Sequence, residues 1–212
     1  ATDFGFRVAK QFDLPVVTTV LNAEYLKKRM PRSVPEALFG TPGIFVQKTN
    51  HGGGSPFLRG LTGQQILMLV DGIRLNNATF RSGPNQYLNT IDPSWMYRVE
   101  ILESSGAAEY GSDAIGGVMS FQTLTPQLSL NNSTLITGKA VTRYSSANQE
   151  KTGHFDINVG WKKWAMVSSI SSNNFGDLKM GSDGPKEYLR PFYVQRQDDT
   201  DVVITNDDPR IQ

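Results

Sequence analysis

Cysteine is absent from the 212 residues, which removes disulfides, thiol nucleophiles and thiolate-bound metals from consideration. Histidine is scarce: there are 2, His51 and His154, too far apart in sequence to form a local metal-ligand motif. Charge of either sign is not in excess, because 21 basic residues meet 20 acidic ones for a net charge of +1. That balance gives no footing for nucleic-acid binding. No apolar run approaches the length of a transmembrane helix, although membrane-crossing strands are short and alternating and leave no such run. Methionine does not stand at position 1, so the expectation is that a secretory signal has been removed or lies outside this sequence. The length fits one or two domains. A hydrophobic share of 38% is modest, as expected of a chain that partly surrounds water.

Against this background two stretches stand out. In RGLTGQQILMLVDGIRLN (59–76), Gln65 to Val70 is an apolar strand, Asp71-Gly72 a tight-turn dipeptide, and Ile73 to Asn76 the returning strand of a hairpin. In VEILESSGAAEYGSDAIGGVMSFQT (99–123), a strand over Val99 to Leu102 is followed by Gly106, Gly111, Gly116 and Gly117. These bracket a short turn before the strand Val118 to Thr123.

The order and spacing of these motifs resemble the plug domain of TonB-dependent outer-membrane receptors: arginine-glycine, a strand ending in Val-Asp-Gly, then Val-Glu-Ile, then Tyr-Gly-Ser-x-Ala-Ile-Gly-Gly-Val. The resemblance spans residues 15 to 126. It implies a mixed α/β plug domain, a small mixed sheet with short helices, over 1–126. It also implies an active transporter of the bacterial outer membrane, with the plug in a barrel lumen and its N-terminal side periplasmic. The TonB–ExbB–ExbD inner-membrane complex is the implied partner, and no enzyme activity is implied. After Val-Glu-Ile the family has a basic residue, glycine and proline where this chain has Glu103, Ser104 and Ser105. Plug arginines in the family pair with barrel glutamates, so Arg59 is the plug–barrel contact that the resemblance retains. ATDFGFRVAK holds no recognisable segment for TonB to grip.

Residues 127–212 are expected to hold the first antiparallel strands of an incomplete transmembrane β-barrel and the start of a long extracellular loop. In HFDINVGWKKW, Phe155, Ile157, Val159 and Trp161 share one face while His154, Asp156, Asn158 and Gly160 share the other, the alternation of a wall between lipid and water. Lys162-Lys163 is a minimal connection, flanked by Trp161 and Trp164 at the level of an interfacial girdle. Trp164, Met166, Ser168 and Ile170 carry the next alternating strand. In the strand before, Ile136, Ala140 and Tyr144 oppose Lys139 and Arg143, which are expected to face the plug. From about Asn173 the Gly, Asp, Pro and Lys content reads as an extracellular loop. Plugged barrels have about 22 strands, so the remainder of the barrel is expected beyond this sequence or in a separate chain.

Helix signals organise the front of the plug. Asn22 is expected to cap Ala23 to Lys28, whose lysines suit the C-terminal end of the helix dipole. Ser33 and Glu36 have capping-box spacing, and Gly40 supplies the stop. These signals lead into a strand over Ile44 to Lys48 that is expected to join the mixed sheet.

Two loops carry the candidate ligand site. KTNHGGGSPFLRG places His51 before three glycines, which predicts a mobile tip. NATFRSGPNQYLNTID (77–92) adds Phe80, Arg81 and Tyr87 around Gly83-Pro84. In the resembling family these loops are apical, and the second is similar to receptors for haem and haem proteins. Haem asks for an imidazole on iron, flat apolar contacts and a guanidinium for the propionates. His51, then Phe57 with Phe80 and Tyr87, then Arg81 offer these, with a second iron ligand expected from a barrel loop. Other readings stand beside this one. A loop histidine is often simply solvated, Phe80 and Tyr87 serve equally to wedge their loop onto the sheet, and Arg81 can pair with a barrel carboxylate. Ferric siderophore, cobalamin or oligosaccharide transport is the alternative cargo class, and a passive adhesion barrel the alternative role. His154 reads as a lumen-facing polar residue. GSDAIGG is a turn into a strand and not a phosphate cradle, and the acids at 198–208 lack calcium-loop spacing.

Overall fold

The computed structural model describes residues 2–4, 7–9, 17–48, 51–76, 87–176 and 190–206. Two compact units emerge, Ala1–Gly176 and Asp177–Gln212. Among the described residues no helix is long and apolar enough to cross a membrane.

The first unit begins with β1 (Thr2–Phe4) and β2 (Arg7–Ala9), an antiparallel pair. After β3 (Thr18–Leu21), Asn22 caps α1 (Ala23–Arg29): its side chain accepts from the Tyr25 backbone N–H at 2.8 Å. Lys27, Lys28 and Arg29 occupy the last turn, where the dipole favours them. The next helix, α2 (Val34–Ala37), is a single turn and corrects the capping-box expectation. The Glu36 N–H, which a box needs for the Ser33 hydroxyl, is taken by the Ser33 carbonyl at 3.0 Å because the turn is tightened. Ser33 Oγ is left buried without a partner, and Glu36 Oε2 accepts instead from the Arg32 N–H at 3.1 Å.

Strand β4 (Ile44–Lys48) pairs only with β5 (Gly54–Leu58), in a separate two-stranded sheet. The expectation that it joins the main sheet is therefore corrected. Its alternation is a short one-sided pattern with Val46 buried and Phe45 exposed, suited to a hairpin lying against α2 and not to a strand covered on both faces. Of the three glycines in the loop before β5, the last is already part of the strand. Gly54 is a buried strand residue, and a Cβ there would come within 2.9 Å of Pro35 Cβ, so the glycine serves close packing.

The central sheet has five strands in the order β3-β8-β9-β6-β7, formed by β6 (Ile66–Val70), β7 (Ile73–Arg74), β8 (Met96–Leu102) and β9 (Gly117–Thr123) with β3. The β6–β9 pair is parallel and its other pairings are antiparallel, which makes it the mixed sheet expected. β6 is apolar throughout because both faces are covered. Ile66 and Met68 join the larger core with Leu26, Leu38, Val99 and Phe121, while Leu67 and Leu69 pack with Leu102, Ala114 and Val118. Between β8 and β9 lies α3 (Ala107–Tyr110). At the entry to β9, Gly117 has φ +142°, and a Cβ there would meet the Leu102 carbonyl oxygen at 2.4 Å.

Two dipeptides of the motif are turns with both residues in the left-handed region: Arg59-Gly60 (φ 53° and 83°) and Asp71-Gly72 (φ 49° and 81°). Beyond β7 the ladder continues without strand geometry, as the Asn76 side chain donates to the Ile66 carbonyl and accepts from the Met68 N–H.

Three antiparallel strands complete the unit: β10 (Leu135–Ser145), β11 (Glu150–Gly160) and β12 (Ala165–Asn174). The register aligns Ile136, Val159 and Met166 in one row, and Ala140, Phe155 and Ile170 in another. Phe155, Ile136, Met166 and Ile170 are exposed, and His154, Asp156 and Asn158 on the opposite face are buried. The predicted alternation is present along β11 and β12, whereas on β10 Ile136 to Ala140 are all exposed and burial alternates only from Val141 onward.

In the second unit β13 (Phe192–Gln197) and β14 (Thr200–Thr205) form a hairpin, which corrects the reading of the stretch after Asn173 as loop alone. Its turn residues Asp198 and Asp199 have φ of 46° and 64°. Aspartate tolerates this conformation, so Asp198 and Asp199 serve the turn.

Candidate functional site

The inward face of the β10–β12 sheet meets the plug through charged and polar side chains. Asp92 caps a short 3-10 turn, Pro93–Trp95, by accepting from the Ser94 N–H at 2.8 Å. The same carboxylate reaches the wall: Ser171 Oγ donates to Asp92 Oδ2, and His154 Nδ1 lies 3.7 Å from it. His154 is wedged between Ser171 (Nδ1 to Oγ, 2.6 Å) and Asp156 (Nε2 to Oδ2, 2.9 Å). Lys139 Nζ sits 3.3 Å from Asp156 and donates to the Ser94 carbonyl at 3.3 Å. The expectation that the charges of β10 face the plug is met at this residue.

Ser171, His154 and Asp156 have the residue types of a hydrolase triad but are arranged differently, with Nδ1 of the imidazole on the serine and Nε2 on the aspartate. The Ser171 proton is given to Asp92, and the His154 side chain is 1% exposed. The group is a structural bridge between wall and plug.

A second bridge lies closer to the β10–β11 turn. Glu150, whose side chain is 1% exposed, stands between Arg32 of the plug (Nε to Oε2, 3.2 Å) and Arg143 of the wall (Nη1 to Oε1, 3.5 Å). Thr152 Oγ1 donates to Glu150 Oε1 at 3.0 Å. Arg32 in turn lies 4.0 Å from Glu36, which also faces Lys48 at 3.7 Å. Burying a carboxylate this deeply is tolerable only with cations on it.

His51 is half-buried and neither solvated nor free. Its ring stacks on Phe175 (centroids 5.5 Å apart, 22° between planes), and Nδ1 is 3.5 Å from Asn148 Nδ2 in the β10–β11 turn. Its Nε2 is shielded and has no hydrogen-bond partner. Phe57 does not join it, for Phe57 is at the other end of β5, edge-on to Phe45 at 5.7 Å. Phe80 and Arg81 lie outside the described residues, and Tyr87 is described only as the first residue of the 3-10 turn Tyr87–Thr90. Arg59 donates to the Glu103 carbonyl at 3.1 Å inside the plug, and the Glu103 carboxylate accepts from Thr19 Oγ1 at 2.7 Å. Beside His51 a cavity of about 380 Å³ opens between plug and wall, lined by Arg32, Gly52, Asp92, Ser171, Asn173 and Phe175 among others. Among the described residues no group of three acidic or histidine side chains is placed to hold a metal ion.

Sequence reasoning did not single out Arg32, Asp92, Arg143 and Glu150 as a set. Arg143 and Glu150 carried a usable signal, being charges on the inward face of alternating strands. Arg32 carried none, since its partner is more than a hundred positions away in the chain.

The TonB-dependent receptor plug domain profile matches residues 10–118. A vitamin B12 transporter of Vibrio vulnificus is 34% identical over 128 residues, which is 57% of this chain and 20% of the relative. A hemin receptor of Yersinia enterocolitica is 35% identical over 116 residues, covering 53% of this chain and 16% of its own length. The chain thus spans about a fifth of the curated relatives it matches. In structure it is similar to Pseudomonas aeruginosa FpvA bound to a heterologous pyoverdine, with a TM-score of 0.60 at 16% identity over 75% of this chain and 20% of that one.

Proposed function

The chain belongs to the TonB-dependent receptor plug-domain family, and from that premise we propose that it is the plug and first wall strands of an outer-membrane active transporter for haem, free or taken from a host haemoprotein. The observation that carries the transport reading is the two-faced β10–β12 sheet. One face is apolar and exposed, suited to lipid, while the other is polar and closed by a folded plug. A lumen filled by a folded domain passes a large cargo only if that domain shifts or partly unfolds, which requires energy from outside the barrel. The TonB–ExbB–ExbD complex acting on the periplasmic, N-terminal side is the proposed source.

Support for haem as cargo comes from the relative named as a hemin receptor together with the residues of the two loops, and the relative named as a vitamin B12 transporter supports cobalamin. A flat macrocycle suits an aromatic-bearing apical surface with a histidine and an arginine. In this reading His51 ligates the iron after its ring leaves Phe175, exposing Nε2, while Phe80 and Tyr87 contact the macrocycle and Arg81 a propionate; Phe57, held against Phe45 at the far end of β5, drops out of the set. Cobalamin is the alternative supported by the likeness to the vitamin B12 transporter.

Titration of the purified receptor with haem is expected to shift and sharpen the Soret band, and His51→Ala is expected to reduce the shift. A wild-type spectrum identical to free haem, together with saturable binding of cyanocobalamin, would replace haem by cobalamin. Absence of energised uptake of either would instead favour a passive surface-binding barrel.

A further inference from the structure

From the arrangement around Glu150 we infer that the plug–wall ion pair is built for partner exchange: Arg143 and Glu36 are reserve partners that take over Glu150 and Arg32 when the plug moves. This rests on the transport reading, since only a plug that moves needs the exchange.

Breaking a buried ion pair costs far more than forming it gains, because the charge left behind is uncompensated in a dry site. Glu150, whose side chain is 1% exposed, would face that cost at the moment of parting, whereas Arg32 is 34% exposed and already meets water. Here each side carries its own substitute. The wall holds Arg143 at 3.5 Å and Thr152 at 3.0 Å from Glu150 Oε1, and both remain when the plug leaves. The plug holds Glu36, 4.0 Å from Arg32 Nε and already accepting from the Arg32 backbone N–H.

The plug–wall contact is the shortest ion pair of the set but not a directional one. Arg32 Nε approaches Glu150 Oε2 to 3.2 Å, yet that oxygen has no aligned hydrogen bond. The attraction is Coulombic and falls gradually with distance, so sliding does not cross the steep loss of a directional bond. Arg143 therefore acts as a positioning residue for plug release and not as glue.

Single-molecule pulling on the N-terminal side of the plug, in the receptor embedded in lipid, tests this directly. Arg143→Gln is expected to lengthen the plug's lifetime under load several-fold, because Arg32 is then the one cation beside Glu150 among the described residues. Arg143→Lys, which keeps the charge, is expected to behave as wild type, and Arg143→Gln with Glu150→Gln is expected to lose the effect. If Arg143→Gln leaves the lifetime unchanged or shortens it, Arg143 only supports the docked state and the exchange is wrong. Uptake measured alongside separates the two readings. A longer Arg143→Gln lifetime in a receptor that imports nothing upholds the exchange and removes transport. An unchanged lifetime in a receptor that does import removes the exchange alone.

Discussion

Asp71 shows how much one side chain of the plug motif carries. It takes a left-handed turn conformation with φ 49°, and its carboxylate accepts from both the N–H (2.9 Å) and the hydroxyl (2.7 Å) of Thr123 at the end of β9. The turn and the sheet edge are thereby tied together. Asp71→Ala removes both acceptors and places an alanine in a conformation it disfavours, so a loss of about 1–3 kcal/mol is expected in denaturant unfolding. Asn22→Ala at the start of α1 is expected to cost about 1 kcal/mol, read the same way. His51→Phe keeps the ring on Phe175 but has no nitrogen for iron. It is expected to abolish any haem Soret shift that depends on ligation while leaving the plug's stability near that of wild type.

Among the elements, β11 does two jobs through period-2 alternation. Its inward side chains hold the chain in place: Asn158 Oδ1 accepts from the Gln127 N–H at 2.8 Å and its amide donates to the Gln127 carbonyl at 3.2 Å, seating the segment between plug and wall. Its outward side chains include Phe155, which is exposed, and Ile157, which is half-buried, each flanked by its row neighbours in the sheet. In a bilayer Ile157→Arg is expected to cost about 2–4 kcal/mol at midplane depth. Refolding the receptor into lipid vesicles and measuring the unfolding free energy checks this, and a change near zero would place β11 outside the membrane.

For the first compact unit as a whole, the plug is seated through two separated bridges, Arg32–Glu150 and Asp92 with Ser171 and His154. Arg32→Gln is expected to weaken seating by roughly 1–3 kcal/mol, between an exposed and a fully buried pair. Faster proteolysis of the plug with an intact wall is the measurement. An Asp92→Ala change removes the cap and the wall contact together, and because Asp92 and Arg32 line one cavity the two substitutions are expected to couple, which a double-mutant cycle measures.

Local signals were enough for the elements and their faces. Val-Asp-Gly, Asn22 and the alternation of 150–160 each act through neighbours in sequence, where turn conformation, capping and the two-residue period of a strand leave few options. The same signals failed where a competing contact decided the outcome. Ser33 was outbid by its own carbonyl, β4 paired with β5 and stayed out of the main sheet, and Gly54 was needed for closeness to Pro35. The site lay furthest from local reading. That Glu150 meets Arg32, that His51 rests on Phe175, and that Asp92 serves a cap and a wall at once depend on how the plug docks against strands far along the chain. No local rule encodes that, because burial and charge pairing are satisfied only when the two surfaces meet.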